Sequence, residues 1–360
     1  RSTVNGMAQT FKVESSTRSN LGLSLTIDDF GLQNDRKGEI EGQTIIMNGI
    51  FLPNKAGMPD LPVVSRYVAI PRGATVNVTV TNQVTETFYD IELMPAPELP
   101  LDDDNTPMKY YRNEQVYSTN AFFPANPIIT SEPTKIRDVD VVILSVTPFQ
   151  YNPVSKELVV TRQLNLDVSF EGGDGTFGGD PRYRSTAWEH IIRDMVINED
   201  ALPPFDYQRF IKEAVERGDN GCEYLIITPD NEEFVQLADT IKAFRTQQGI
   251  LTDVVTVTEC GGNTDTEIRN YIINAYTTWD IPPSAVLILG DHNADGTQGV
   301  VSHTMYNHPG GNGYNPYISD NGYADTGNDH IPNVVIGRIT GRNYERSRSE
   351  ERRVGKECRS

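Results

Sequence analysis

Cysteine is nearly missing from this chain: only Cys222, Cys260 and Cys358 occur among 360 residues. So few scattered thiols build neither a disulfide framework nor a zinc site, which need several ligands at defined spacings. Cys222 opens an apolar strand-like run and reads as an inert core thiol. Long apolar runs are missing too, and no stretch approaches the roughly 18 residues that span a bilayer as a helix. Positive charge is scarce. The net charge is −19, whereas binding nucleic acid or an anionic membrane needs clustered Lys and Arg. The chain opens on Arg1, with neither a Met nor a basic-then-apolar leader.

The last segment, 348–360, does not read as protein. Arg-Ser-Glu-Glu-Arg-Arg-Val-Gly-Lys-Glu-Cys-Arg-Ser resembles the conceptual translation of a common sequencing adapter, and no turn or linker signal precedes it. The expectation is a fragment open at both ends, with natural sequence up to about Ser347. The remainder is acidic and rich in Asp, Asn, Tyr, Thr and Gly, a composition that suits an extracellular protein.

The body of the chain has two grammars. Residues 1–180 are strand-like. Thr75-Val-Asn-Val-Thr-Val80 alternates strictly, as a strand with one buried face does. Val139–Thr147 is a β-branched run, and Leu158–Phe170 alternates again. The turn signal Tyr151-Asn-Pro-Val-Ser-Lys156 between them predicts a long hairpin. Pro recurs through 94–133, which suits edges and loops, and no helix is evident. This half is expected to be an antiparallel β-sandwich-like domain. Gly172–Pro181 is a flexible linker by composition.

Residues 181–221 are expected to form a helical linker. Trp188, Ile191, Ile192, Met195 and Val196 fall at helical spacing behind a Ser185 or Thr186 cap. A second helix, Tyr207–Glu216, ends at Arg217-Gly218. From 222 to 347 the pattern becomes strand–helix–strand. Strands are expected at Tyr224–Thr228, Val254–Val257, Ala285–Gly290 and Val334–Gly337. Between them come a helix carrying Phe234, Leu237, Ile241 and Phe244, and another over Asp265–Tyr276 capped by Thr264. Apolar strands alternating with amphipathic helices predict an α/β fold with a parallel sheet covered on both faces. Ligands of such sheets sit beyond the carboxyl ends of the strands, which directs attention to the loops after Gly290 and Gly337.

Asp291-His-Asn-Ala-Asp-Gly296 holds half of a calcium loop, with alternating oxygen ligands and a Gly for the sharp turn. Ser302 stands where the bidentate Glu would be, and a strand precedes the loop, so a helix–loop–helix calcium site is excluded. Asp291, Asn293 and Asp295 form either a looser calcium site or a plain Asp/Asn-rich turn. Asp320, Asp325 and Asp329 could bind calcium, line a specificity pocket or solvate a loop. His190, on a helix beside apolar neighbours, reads as structural. His303 and His308 have a weak metal spacing and no supporting carboxylates in sequence. His292 and His330 stand at strand-adjacent loops, but neither has an evident Cys or Ser partner, and a cysteine peptidase needs a thiolate beside an imidazole.

Residues 222–345 resemble the first subdomain of a gingipain-like cysteine peptidase, a caspase-related α/β fold. The likeness is carried by Glu223-Tyr-Leu-Ile-Ile-Thr228, Phe244-Arg-Thr-Gln-Gln-Gly249, Leu289-Gly-Asp-His292, Ser319-Asp320 with Tyr323, Asn328-Asp-His330, and Val335-Ile-Gly-Arg338 running into Tyr344-Glu345. The first half is similar to the family's propeptide, through Gly57-Met-Pro-Asp-Leu-Pro62, Tyr67-Val-Ala-Ile-Pro71 and Pro148-Phe-Gln-Tyr-Asn-Pro153. The resemblance implies a secreted or surface-bound bacterial zymogen that hydrolyses peptide bonds by Cys–His acyl transfer. It also implies calcium near Asp291, export through outer-membrane secretion machinery, and protein or peptide substrates. The family's catalytic His is followed by Gly and, with its Cys, lies in a second subdomain. No His here is followed by Gly, so no catalytic residue is assigned. Processing is expected at Arg217-Gly218, and Asp320, Asp325 or Asp329 could favour Arg or Lys side chains. Two non-enzymatic alternatives are a relative serving secretion or surface assembly and a surface binding module.

Overall fold

The computed structural model describes residues 11–47, 54–99, 107–292, 298–305, 316–329 and 331–341. The chain forms two compact units. One comprises Arg1–Thr134, Val139–Gly178 and Ile192–Pro203; the other comprises Lys135–Asp138, Gly179–Ile191 and Pro204–Ser360.

The first unit is antiparallel and sandwich-like, organised around the long strand Glu157–Gly172. Leu158 and Val160, then Leu164, Leu166 and Val168, are buried while most residues between them are polar. The same alternate positions stay buried on both sides of a register shift between Thr161 and Gln163. This strand pairs along its length with Ala74–Phe88. It also pairs with Asn20–Thr26, where Leu166 opposes Leu23 and Val168 opposes Leu21. In a second sheet Val139–Val146 is flanked by Val64–Ala69 and Ile128–Thr130.

Two expectations are corrected here. Val139–Val146 and the long strand are not hairpin partners. The partner of Glu157 and Leu158 is the short strand Phe149–Asn152, which Pro148 separates from the preceding run because proline cannot donate to a ladder. The turn itself lies where expected: Asn152 Oδ1 accepts the amides of Val154 and Ser155. The half without an evident helix also holds one turn of helix, Glu114–Tyr117, which Asn113 caps through the Val116 amide.

The second unit holds a four-stranded parallel sheet in the order Thr252–Thr256, Tyr224–Thr228, Ala285–Leu289, Val335–Ile339. Leu225 and Ile227 face one way, packing with Ile268 and Ile272 of the helix Asp265–Thr278. Ile226 faces the other way, onto Phe234, Leu237 and Ile241 of Glu232–Gln247. Each such side chain contributes about 1.5–3 kcal/mol by leaving water, so both faces of the central strand favour this arrangement. Phe244, expected on the same helix face, is half exposed. Thr264 caps the later helix through the Glu267 amide, and Asn231 caps the earlier one through the Glu233 amide. No helix among the described residues is long and apolar enough to cross a membrane.

Candidate functional site

The carboxyl ends of the parallel strands open onto the loops that carry most of the predicted site residues. Gly290 ends its strand at φ 89. A Cβ there would stand 2.9 Å from the Gly299 backbone, so only glycine lets the outgoing chain turn this closely.

Asp291 is fixed by the backbone. Its amide donates to Gly341 O, its carbonyl accepts from Val300 N, and its Oδ1 accepts from His292 N at 2.8 Å. Asn293 and Asp295, the other two residues of the expected calcium site, lie outside the described residues, as do His308 and His330. Among the described residues no group of three His, Cys, Asp or Glu side chains gathers as a metal site.

Asp320 is held by Arg338, whose Nε and Nη2 each reach a carboxylate oxygen at 2.7 Å. Arg338 also donates to the carbonyls of Gly290, Val300 and Val301. Asp325 accepts the Asp329 amide, and Asp329 accepts the Ile331 amide. Asp320 is thereby tied to the strand Val335–Ile339, while Asp325 and Asp329 accept amides of their own loop.

Sequence reading missed the partner of His303. His303 Nδ1 is bonded to the Asp265 carboxylate, whose other oxygen accepts Thr304 N at 2.7 Å. Asp265 opens its helix, a favourable position for negative charge. The absence of a carboxylate near His303 in sequence is therefore corrected: the partner comes from 38 residues away. Tyr323 lies 5.4 Å from the imidazole between ring centres, and burial pushes its phenol pKa up. His292 uses Nδ1 to accept Ser302 N at 2.9 Å, so that nitrogen is unprotonated. His190, expected as a structural residue, is exposed on its helix.

Burial holds both described thiols away from the thiolate form. Cys222 and Cys260 are free and buried, and burial pushes both thiols up to about 12. At neutral pH they stay protonated, whereas an attacking sulfur must be thiolate.

Arg217 closes the helix Tyr207–Arg217, with Gly218 as a left-handed cap at φ 78. The Asp219 amide returns to Ala214 O, and the exposed Arg217 side chain pairs with Asp219 at 2.7 Å.

Comparison with known proteins gives this architecture its family. Residues 11–179 match the family model Propeptide_C25, and residues 217–349 match Peptidase family C25. Gingipain R2 of Porphyromonas gingivalis strain W83 is 26% identical over 298 residues, covering 81% of this chain and 37% of the relative. The Lys-gingipain of strain ATCC 33277 is 29% identical over 148 residues, 38% of this chain and 8% of that protein. Among solved structures, the complex of Porphyromonas gingivalis RgpB pro- and mature domains matches at TM-score 0.47 and 22% identity, over 53% of this chain and 98% of that one. Two C25 models thus match in series, a propeptide and then a peptidase. The chain is gingipain-like, spanning about 37% of the length of gingipain R2.

Proposed function

We propose that this chain is the propeptide and front peptidase subdomain of a secreted zymogen whose intact form is a cysteine endopeptidase. The observation that carries the reading is the order of the two family matches, with the second beginning at Arg217. Arg217 is exposed at the end of its helix. The substrates are proteins or peptides, and cleavage at Arg217-Gly218 separates propeptide from enzyme. Peptide-bond hydrolysis proceeds by thiolate attack, with an imidazole moving the proton and backbone amides holding the oxyanion. The thiolate and its base come from outside the described residues, since both described thiols are buried and protonated. The Asp291 loop, with Asn293 and Asp295, is proposed to hold a structural calcium ion, and export to use outer-membrane machinery.

Extending the reading frame in source DNA beyond codon 347 tests the proposal. A following subdomain with His-Gly and a later Cys supports the peptidase. A frame that continues without them makes the protein an assembly or binding relative. A gene that truly encodes Arg348–Ser360 and stops would remove the enzyme reading altogether.

A further inference from the structure

Lys135–Asp138 comprises the end of the strand Thr134–Ile136 and the turn into Val139–Val146, yet it groups with the second unit. Arg137 sits at its tip with φ 56 and is 2% exposed. A buried guanidinium normally has a carboxylate bonded to it; this one is met by backbone and rings instead. Nε donates to Tyr183 O at 2.7 Å, and Nη1 donates to Pro283 O at 3.0 Å and Asn333 O at 2.8 Å. The rings of Tyr183, Trp188 and Tyr276 stand 5.9, 5.4 and 5.2 Å from its central carbon. This is cation–π range, where desolvation strengthens the attraction. Burial pulls the guanidinium down to about 10, with smaller opposing contributions from Tyr276, Tyr183 and the nearby Glu223 carboxyl. Nη2 is buried without a partner.

The cage combines parts from both sides of the proposed cut. Tyr276, Pro283, Asn333 and Glu223 follow Arg217, whereas Arg137, Tyr183 and Trp188 precede it. Trp188 reaches across as well, its Nε1 donating to Ser284 O at 2.9 Å. Pro283 and Asn333 stand just before the strands Ala285–Leu289 and Val335–Ile339. The cage is therefore at the amino end of the sheet, opposite the loops described above.

We propose that this cage is a guanidinium-binding site through which the peptidase part grips its propeptide after the connecting chain has been cut. Its ligand is an arginine presented on a tight turn, Arg137 of the severed propeptide. The inference rests on the zymogen reading for the identity of the two fragments. The bonds from Arg137 to Pro283 O and Asn333 O and from Trp188 to Ser284 O cross the cut at Arg217, so the propeptide stays attached while the far end of the sheet remains uncovered by this contact.

The test uses the full-length protein, nicked with trace trypsin and followed by size-exclusion chromatography and dissociation kinetics of the two fragments. Wild-type fragments are expected to co-elute. Arg137→Ala is expected to weaken the pair by about 30-fold or more, the effect of truncating one partner of a buried, hydrogen-bonded charge. Arg137→Lys keeps the charge but cannot reach three carbonyls with a planar fork, and is expected to weaken the pair less. It also serves as the readout if the alanine variant fails to fold. Trp188→Phe removes the Ser284 bond and is expected to act in the same direction, while substitution of the exposed Arg18 changes nothing. Fragments that separate at once in the wild type, or that stay equally tight in Arg137→Lys and Trp188→Phe, would overturn the proposal. Nicked fragments held through Arg137 but lacking thiol-dependent proteolysis would sink the zymogen reading and leave the cage standing. Active enzyme whose propeptide falls away immediately would do the reverse.

Discussion

Arg338 grips Asp320 through two bonds of 2.7 Å, and the same guanidinium donates to Gly290, Val300 and Val301 on the loop that follows the third parallel strand. One arginine at 8% side-chain exposure thereby ties the end of its own strand to two loops. The arrangement uses the planar fork that distinguishes Arg from Lys.

Breaking this pair is expected to damage stability before specificity. Asp320→Ala leaves a mostly buried guanidinium without its counter-charge and should cost roughly 3 kcal/mol. Thermal melting checks this; Arg338→Lys should recover only part of the loss. If Asp320 instead lined a pocket for basic side chains, the alanine variant would melt like wild type while the KM for such substrates rose.

Gly322 and His303 are expected to be coupled. A Cβ on Gly322 would fall 1.7 Å from the imidazole Cδ2, and Asp265 holds that ring in place. Gly322→Ala should cost about 1–3 kcal/mol, as overpacking does. The penalty should largely vanish in a His303→Ala background. A double-mutant cycle by chemical denaturation measures the coupling, and additive losses would contradict it.

Native protein at pH 8 should resist iodoacetamide at Cys222 and Cys260, because burial holds both thiols protonated up to about 12. Peptide mapping should find them alkylated only after unfolding. Rapid native labelling of either would show a thiol more accessible than this fold allows.

Glu223 carries a pH signature. Burial raises its carboxyl pKa, with the Tyr207 hydroxyl and Arg137 pulling the other way. Because the folded pKa lies above the unfolded one, the folded state holds the proton more tightly. Its favourable contribution is therefore present in acid and is lost as pH rises through the folded value. Glu223→Gln should melt progressively higher than wild type on going from pH 4.5 to 7.5. A gap that narrows over that range would contradict the assignment.

The parallel sheet was legible because strands buried on both faces read as apolar runs, as Leu225–Ile227 and Val286–Leu289 do. The full strand Ala74–Phe88 was not. Past Val80 its residues are exposed, so Thr81–Thr87 carries no apolar alternation to betray a strand held by its ladder. The misjudged hairpin came from reading Val139–Thr147 by propensity, when Pro148 decides which strand pairs with which. At the candidate site, the loops were legible from the strand ends, and the side-chain pairings were not. Asp265 with His303, Asp320 with Arg338 and Arg137 with its cage join residues far apart in sequence. In each case a lone charge reads as solvated until the fold supplies its partner.

The most direct measurement of the central claim is activation of the full-length protein by trace trypsin. It would combine sequencing of the new amino terminus with an assay of peptide-amide hydrolysis, with and without iodoacetamide. The account predicts a new terminus at Gly218, released from the exposed Arg217, together with hydrolysis that the thiol reagent abolishes. Cleavage first elsewhere, or a clean cut at Gly218 with no thiol-dependent hydrolysis, would contradict it.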